Sequence, residues 1–326
     1  MELPDSRVPR ISWNKKGLIF RVTEHLEPCI SFAQSPQLLK LEDRHRVYFC
    51  GRYLDRFGLP VSRVYFVDFS HDFSKILDVR SEPVLSEGNL GEFDEHGIFP
   101  FHPASINGNT FGFSSGWSRR QSVPVETAIG ITVLSEGGNF IKLGRGPILA
   151  ANYFEPFLVC DPYLFQESNN KFSMYYISGE RWLLEDEKPE RVYKIRCASS
   201  EDLKRWTPDG IQLIPDVLGP NECQALPSVV SVGDLRIMAF CYRPATDFRG
   251  SGPNTYRLGG AVSVDGKNWV RCDEIFNFQT EIDAWDSEMQ CYPNISLDGQ
   301  NLILLYNGNE FGREGFGLSV GEIVDT

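Results

Sequence analysis

A repeat of about 65 residues runs through the chain and constrains its fold more than any other feature. Each copy has a proline, an apolar segment of strand length, a polar turn and a second segment rich in aromatic residues. The prolines that open the five copies are Pro36, Pro103, Pro162, Pro227 and Pro293, at steps of 67, 59, 65 and 66 residues. Self-similarity at a fixed period is typical of proteins built from one repeated supersecondary unit.

The second half of each copy repeats as well. Segments 196–206 and 261–269 both read as a strand that ends in serine, a polar turn, and a tryptophan that opens the next strand. Segment 129–140 follows the same pattern with Phe140 in the place of the tryptophan. Short apolar runs punctuated by glycine and proline, without long stretches of helical period, predict an all-β chain. Four strands per copy, repeated radially, are typical of a β-propeller.

Five copies account for the whole length of 326 residues. We therefore predict one domain, residues 1–326, with an all-β fold: a five-bladed β-propeller with a central funnel. The last copy is incomplete, because segment 315–320 has only the first part of the second half. Segments 10–13 and 18–20 are expected to supply the missing strands and to close the ring between the two ends of the chain.

Composition excludes several classes of function. The formal charge is −12, which argues against a nucleic-acid partner, since such a partner needs a basic face. No apolar run approaches the ~20 residues of a membrane span, and residues 1–10 lack the apolar core of a signal peptide. We expect a cytoplasmic protein without a membrane partner; the oligomeric state is left open.

Eight cysteines are scattered along the chain without CxxC spacing. We expect most of them to be buried free thiols that pack as small hydrophobic side chains. No structural zinc site, other metal site or cofactor is predicted.

Acidic residues precede several of the repeat prolines. The innermost strand of every propeller blade begins at the same end of the axis, so residues just before these prolines are expected to converge in one funnel. Asp161 directly precedes Pro162, and Glu222 lies shortly before Pro227. The other polar candidates are Asp94 and His96 in the second copy, Asp286 and Glu288 in the fifth, and the uncharged Gln34 and Ser35 in the first.

Converging carboxylates repel one another, which raises the pKa of at least one of them and leaves a protonated acid beside an ionised base. Cleavage of a glycosidic bond needs that arrangement. The alternative is that these acids cap turns or form ion pairs with nearby arginines.

The chain resembles the five-bladed β-propeller glycoside hydrolases, a group that includes arabinanases, β-xylosidases, invertases, levansucrases and mannoside phosphorylases. The resemblance covers essentially the whole chain and rests on segments 93–100, 161–162 with 174–176, 222–230, and the Ser…Asp-Gly…Trp strands. It implies a carbohydrate-active enzyme in which Asp161 orients the site and Glu222 is the general acid.

The first copy departs from that group, which usually has an aspartate nucleophile or base where this chain has Gln34 and Ser35. Asp94 is then the candidate base. Two other interpretations stay open. The protein could transfer a sugar to phosphate or to another sugar, or it could be a sugar-binding propeller that has lost hydrolase activity.

Arginines recur after the second strand of four of the five copies. They are Arg52, Arg119, Arg181 and Arg243. Guanidinium groups clustered at one rim suit bidentate binding of phosphate or carboxylate. The expected substrate is therefore a saccharide or sugar-phosphate, which a cytoplasmic protein would meet inside the cell. Pairing of each arginine with a funnel carboxylate is the alternative. Trp117 and Tyr292 are the aromatic candidates for contact with a sugar ring.

Overall fold

The computed structural model describes residues 8–27, 29–250, 252–277 and 281–325. Within these ranges the chain forms five antiparallel sheets of four strands each. The strands are β1 (Arg10–Arg21), β2 (Ser31–Lys40), β3 (His45–Leu54), β4 (Pro60–Phe69), β5 (Ile76–Leu85), β6 (Ile98–Ile106), β7 (Asn109–Arg119), β8 (Val125–Leu134), β9 (Phe140–Lys142), β10 (Val159–Ser168), β11 (Lys171–Glu185), β12 (Lys188–Ser200), β13 (Thr207–Pro208), β14 (Glu222–Val232), β15 (Leu235–Pro244), β16 (Arg257–Ser263), β17 (Val270–Arg271), β18 (Cys291–Asp298), β19 (Asn301–Asn307) and β20 (Gly315–Asp325). Short helical segments are α1 (Val22–His25), a 3-10 turn at Asp273–Phe276 and α2 (Asn309–Gly312).

Each sheet is one propeller blade, so the predicted five-bladed β-propeller is confirmed. Strands β2 to β5, β6 to β9, β10 to β13 and β14 to β17 form blades one to four, in chain order from the axis outwards. Blade five has the order β18, β19, β20 and β1. Its outermost strand comes from the start of the chain, because β1 pairs with β20 from Ile11 opposite Ile323 to Arg21 opposite Gly315. The ring is therefore closed by both ends, with one continuous strand where the sequence suggested two segments.

A β-bulge at an X-Pro dipeptide marks every innermost strand. The five dipeptides are Ser35-Pro36, Phe99-Pro100, Asp161-Pro162, Leu226-Pro227 and Tyr292-Pro293. In all blades except the second, the residue before the proline has a φ between 49° and 56°. A bulge accommodates proline because it interrupts the ladder of backbone hydrogen bonds.

The bulges correct one sequence prediction. In blade two the repeat proline is Pro100, whereas Pro103 lies farther along the same strand, opposite Gly112 in an unbroken ladder. The steps between bulge prolines are 64, 62, 65 and 66 residues, which is a more even spacing than the one that used Pro103.

The serine-turn-tryptophan motif has one geometry in both of its copies. Ser200 Oγ accepts hydrogen bonds from the next turn, and Trp206 Nε1 donates to the Leu203 carbonyl. Ser263 and Trp269 make the corresponding contacts in blade four. Each tryptophan directly precedes the outermost strand of its blade, as the repeat predicted.

Polar side chains from the innermost strands close the axis below the bulges. Gln37 Oε1 lies 3.0 Å from His102 Nδ1 and accepts a 3.1 Å hydrogen bond from Asn294 Nδ2. Asn294 also donates to Ser228 Oγ at 3.3 Å, and the His102 ring lies 4.3 Å from the Tyr163 ring. We call these five residues the axial belt. Burial lowers the pKa of His102 to about 3, so this imidazole is neutral and structural.

All eight cysteines are free, and six of them are buried, as expected. In the part of the chain that the structure describes, no helix combines the length and apolar character needed to cross a membrane.

Candidate functional site

A pit opens at the axis beside the bulges, above the axial belt. Its polar and aromatic lining consists of Phe99, Trp117, Thr127, Asp161, Arg191, Tyr193, Tyr256 and Tyr292. The cavity measures about 50 Å³, which is room for roughly three to five water molecules. A group the size of a phosphate matches this volume better than a whole sugar ring does.

Asp161 is the carboxylate of this pit. Its bulge position in β10 directs the side chain towards blade four, where Oδ2 accepts a 3.0 Å hydrogen bond from the Leu226 amide. Its own amide donates to Ser115 Oγ of blade two at 2.9 Å. Burial raises the pKa of Asp161 to about 6, although the Cys160 thiol, the Leu226 amide and Arg191 all act in the opposite direction.

One arginine lines the pit and a second lies beside its wall. Arg191, on β12, places its guanidinium 5.3 Å from the Trp117 ring centroid. Arg52, at the end of β3, lies 5.9 Å from the ring centroid of Phe99. No carboxylate of the described ranges forms an ion pair with either side chain. The lining itself has one arginine, Arg191, and one carboxyl group, Asp161, while Arg52 lies beside Phe99 and is not part of the lining. The predicted role of Arg52 in the site stays a prediction, since Arg52 contacts the pit wall at Phe99 without lining the cavity.

Arg243 is buried behind the aromatic wall. Its Nη2 donates a 2.9 Å hydrogen bond to the Tyr193 hydroxyl, which lies 2.6 Å from the Tyr256 hydroxyl. Its Nη1 donates to the Pro244 carbonyl at 2.7 Å. Arg243 therefore reaches the pit through two tyrosines rather than directly.

The first-blade residues fill their positions without charge. Ser35 occupies the bulge position equivalent to Asp161, and its amide donates to Asn307 Oδ1 at 2.7 Å. Gln34 is fully buried, and its Nε2 donates to the Phe311 carbonyl at 2.8 Å. Tyr292 occupies the bulge position of blade five and does line the pit, with its ring 5.4 Å from that of Phe99.

Most other carboxylates ahead of the innermost strands form ion pairs inside their own blades. The pairs are Asp94 with Lys142, Glu155 with Arg196, Glu222 with Arg271, and Asp286 with Lys15. In blades three and five a tyrosine of the second strand, Tyr176 or Tyr306, also donates to the carboxylate at 2.8 Å. Each of these acids therefore forms an ion pair with a cation, which was the alternative to a group of converging acids.

Glu222 illustrates why the expected group of acids does not assemble. It is fully buried, and its Oε1 accepts from Arg271 Nη1 at 2.6 Å. Its Oε2 accepts from the Val217 and Leu218 amides, both at 2.9 Å. These hydrogen bonds lower the pKa of Glu222 against the effect of burial, whereas a general acid needs a raised pKa. The prediction that Glu222 protonates a leaving group is not supported by this environment.

Asp94 is likewise held away from the pit. It packs against Gly116, where an added Cβ would lie 2.4 Å from the Asp94 Cβ. Lys142 Nζ lies 2.6 Å from Asp94 Oδ2, on the outer side of blade two. The neighbouring His96 accepts from the Arg119 amide at 3.3 Å and lies 3.4 Å from Glu95. The predicted base and its histidine are therefore parts of the blade-two rim.

Three further predicted residues lie outside the pit. Arg119 donates to Asp55 Oδ2 at 2.8 Å, and Arg181 donates to Asn221 Oδ1 at 2.6 Å, so each joins neighbouring blades. Glu288 is exposed and lines a wider cleft of about 530 Å³ that also includes Tyr256. Because Tyr256 lines both cavities, the cleft and the pit adjoin.

Sequence reasoning missed the residues that the third strands bring to the axis. Arg191 and Tyr193 lie on β12, and Thr127 lies on β8. They are far from any bulge in sequence, and no motif distinguishes them. Phe99 alone had a usable signal, because it precedes the proline that gives the most even repeat. Within the described residues, no cluster of His, Cys, Asp and Glu has the arrangement of a metal site.

Several solved structures that share this architecture are named as glycoside hydrolases. One glycoside hydrolase superimposes with a TM-score of 0.72 at 15% identity, over 96% of this chain and 92% of that chain. A structure from a study of mannoside phosphorylases and glycoside hydrolases that target β-1,2 mannosidic linkages in Candida mannan gives 0.69 at 15%, over 98% and 95%. A thermostable family-43 glycoside hydrolase gives 0.62 at 16%, over 92% and 95%. The fold is that of the propeller glycoside hydrolases.

The curated relatives match nearly the whole chain, but their names state no activity. The uncharacterized protein Rv1502 of Mycobacterium tuberculosis is 29% identical over 313 residues, which cover 96% of this chain and all of that protein. No known family profile matches the sequence. The resemblance to the propeller glycoside hydrolases is thus confirmed as a likeness of fold.

Proposed function

We propose that the protein is a carbohydrate-active enzyme that transfers a glycosyl group between a saccharide and an oxyanion of the phosphate class, with Asp161 as the acid. One observation carries this proposal. The pit is lined by a single carboxyl group with a pKa of about 6 and by Arg191, and a second arginine, Arg52, lies beside its Phe99 wall; neither arginine forms an ion pair in the described ranges.

The carboxylate count argues against ordinary hydrolysis. Both stereochemical routes of glycoside hydrolysis use two carboxyl groups on either side of the scissile bond. In this pit Ser35 stands at the bulge position equivalent to Asp161, while Glu222 is paired with Arg271. A lone acid suffices when the attacking group is already an anion, because no base has to activate water.

The reaction balances with one protein acid. The Asp161 carboxyl donates its proton to the glycosidic oxygen as the bond from that oxygen to the anomeric carbon breaks. A phosphate oxygen forms the new bond to the anomeric carbon, which yields a sugar phosphate and a free sugar. The reverse direction builds a glycosidic bond and returns the proton to Asp161. A pKa of about 6 keeps both protonation states populated near neutral pH.

The charges and dimensions of the site agree with this division of roles. Arg191 lines the pit and Arg52 lies beside it, and a guanidinium group suits bidentate contact with a phosphate. The pit has room for such a group, and the adjoining cleft beside Tyr256 offers space for a saccharide. We place the reaction in the cytoplasm, where a saccharide metabolite or glycan precursor would be the substrate.

Phosphate dependence tests the proposal. Wild-type protein would be incubated with manno-oligosaccharides and other oligosaccharides, with and without inorganic phosphate, and phosphorus NMR would detect sugar phosphates. We expect product that requires phosphate and disappears in Asp161→Asn. Release of sugar at equal rates without phosphate would contradict glycosyl transfer to an anion.

A sugar-binding propeller without catalysis is the second candidate. The uncharged Ser35 and the fully paired Glu222 favour it, since both positions lack an available carboxylate. Thermal-shift measurements with the same sugars separate the two functions: stabilisation without product in any condition would favour the binding protein.

A further inference from the structure

A buried cation without a carboxylate partner lies directly behind the pit. Arg243 is 2% exposed, and its guanidinium carbon lies 3.3 Å from the Phe248 ring centroid. Its Nη1 donates to the carbonyls of Pro244 and Ala245. No carboxylate in the described part of the chain forms an ion pair with it. Burying a charge without a counter-ion is costly, so neighbouring dipoles or a bound anion must compensate for it.

The other end of the Arg243 guanidinium points at the pit. Nη2 donates to Tyr193 Oη at 2.9 Å, and Tyr193 Oη lies 2.6 Å from Tyr256 Oη. Both tyrosines line the pit. Arg243, Tyr193 and Tyr256 therefore form a continuous hydrogen-bonded chain that runs from a buried charge to the cavity surface; we call it the tyrosine relay.

Counting hydrogens shows what the tyrosine relay presents to a ligand. Each phenol has one hydrogen, and burial raises the pKa of Tyr193 to about 12, so both groups are protonated at neutral pH. One phenol hydrogen lies between the two oxygens, while Arg243 already occupies a lone pair of Tyr193. The second phenol hydrogen has no acceptor among the described residues. Whichever way the shared hydrogen bond runs, the pair keeps one donor for the pit.

We propose that Arg243 is a positioning residue that holds Tyr193 and Tyr256 so that one phenol hydrogen is donated to an oxyanion bound in the pit. This inference rests on the proposed function, because it names the donors that would hold the phosphate there. A hydrogen-bond donor that is polarised by a neighbouring cation forms a stronger hydrogen bond to an anion than to a neutral acceptor. The buried charge of Arg243 is then compensated when the anion binds.

Calorimetric titration of the full chain with inorganic phosphate tests the tyrosine relay. We expect Tyr193→Phe/Tyr256→Phe, which removes both phenol hydrogens, to weaken phosphate binding by at least about ten-fold, the effect of losing a hydrogen bond to a charged group, whereas each single variant keeps one phenol donor and should lose less. The matched control is Tyr163→Phe, whose hydroxyl donates to the Val229 carbonyl below the pit, and it should bind phosphate as the wild type does.

Arg243 variants separate positioning from simple support of the fold. Arg243→Met should weaken phosphate binding in the wild type but cause little further loss in a Tyr193→Phe background, because Arg243 acts through that hydroxyl. Arg243→Lys, which keeps a charged donor, should recover part of the affinity. Additive losses in Arg243→Met/Tyr193→Phe would contradict the relay.

The outcomes of the two proposals can be told apart. A wild type that does not bind phosphate overturns the proposed function. A wild type that binds phosphate, with Tyr193→Phe/Tyr256→Phe at wild-type affinity, overturns only the tyrosine relay.

Discussion

Asp161 accepts a 3.0 Å hydrogen bond from the amide of Leu226, and the two residues occupy the same bulge position in neighbouring blades. Their φ angles are 56° and 49°, in the left-handed region that residues other than glycine seldom adopt. The hydrogen bond ties one strained position to the next, so the Asp161 carboxyl is fixed on the axis before any ligand arrives. Local strain kept at a cavity is a common property of functional sites.

Replacing Asp161 by asparagine should stabilise the protein while abolishing turnover. The amide oxygen of asparagine can still accept from Leu226, but the group no longer ionises. The folded pKa of about 6 lies above the ordinary 3.8, so ionisation near neutral pH disfavours the folded wild type. At pH 7.5 we expect a gain of roughly 2–3 kcal/mol in the free energy of unfolding, measured with urea.

The pH dependence of this gain provides the control. The advantage of Asp161→Asn should shrink as the pH falls through 6 and should vanish by about pH 3, where the wild-type carboxyl is protonated in both states. A variant that is less stable than the wild type at pH 7.5 would show that the ionised carboxylate supports the fold instead.

Arg191 should control the affinity for phosphate. Arg191→Met keeps the apolar stem against Trp117 and removes the charge, so we expect the Kd for inorganic phosphate to rise about ten-fold or more. The control is Arg119→Met, which loses a pair with Asp55 at the rim and should bind phosphate normally, because partly exposed pairs contribute little. Equal effects of the two variants would point to general electrostatics rather than to a site.

The sequence supported the blade count because that feature depends on spacing alone. The five X-Pro bulges recur at nearly constant intervals, and β1 completes blade five where the last copy was incomplete. The second anchor was wrong because Pro100 and Pro103 share one strand, and only the register against β7 separates them.

The roles of the acids could not be predicted in the same way. Glu222 meets Arg271 across 49 residues, and Asp286 meets Lys15 across 271 residues. Both cations lie on outermost strands, which the pattern ahead of the prolines does not involve. Arg191 shows the opposite case. Its strand has no motif that marks it in the sequence, yet the third strand of blade three places it in the pit lining. Partners of buried charges are set by packing between distant segments.

Glu222→Gln discriminates between an acid of the mechanism and a structural ion. The substitution leaves Arg271 with Asp273, at 3.0 Å, and weakens the acceptor of two backbone amides. We expect the free energy of unfolding to fall by about 1–3 kcal/mol, measured with urea, and turnover per folded molecule to stay within a few-fold of wild type.

Glu126→Gln is the matched control, since Glu126 pairs with Arg120 at the surface and its loss should change neither quantity. A stable Glu222→Gln protein with a thousand-fold lower turnover would restore Glu222 as the general acid.

His102 should make the propeller sensitive to acid. Its folded pKa of about 3 lies below the ordinary 6.5, so the stability present above pH 6.5 is lost progressively as the pH falls towards 3. Between pH 7 and pH 5 this group accounts for a decrease of about 2 kcal/mol in the free energy of unfolding. His102→Asn keeps a donor for Gln37 and cannot titrate, so its unfolding free energy should change less with pH than that of the wild type.

The slope with pH is the quantity to compare, because the smaller asparagine side chain also leaves a cavity whose cost does not depend on pH. His45 contributes to the same acid sensitivity, since burial lowers its pKa, and it is unchanged in this variant. His25→Asn, at an exposed position, is the control and should retain the wild-type slope. Equal slopes for His102→Asn and wild type would contradict a lowered pKa for His102. They would mean that the axial belt tolerates a protonated imidazole, because water solvates it there.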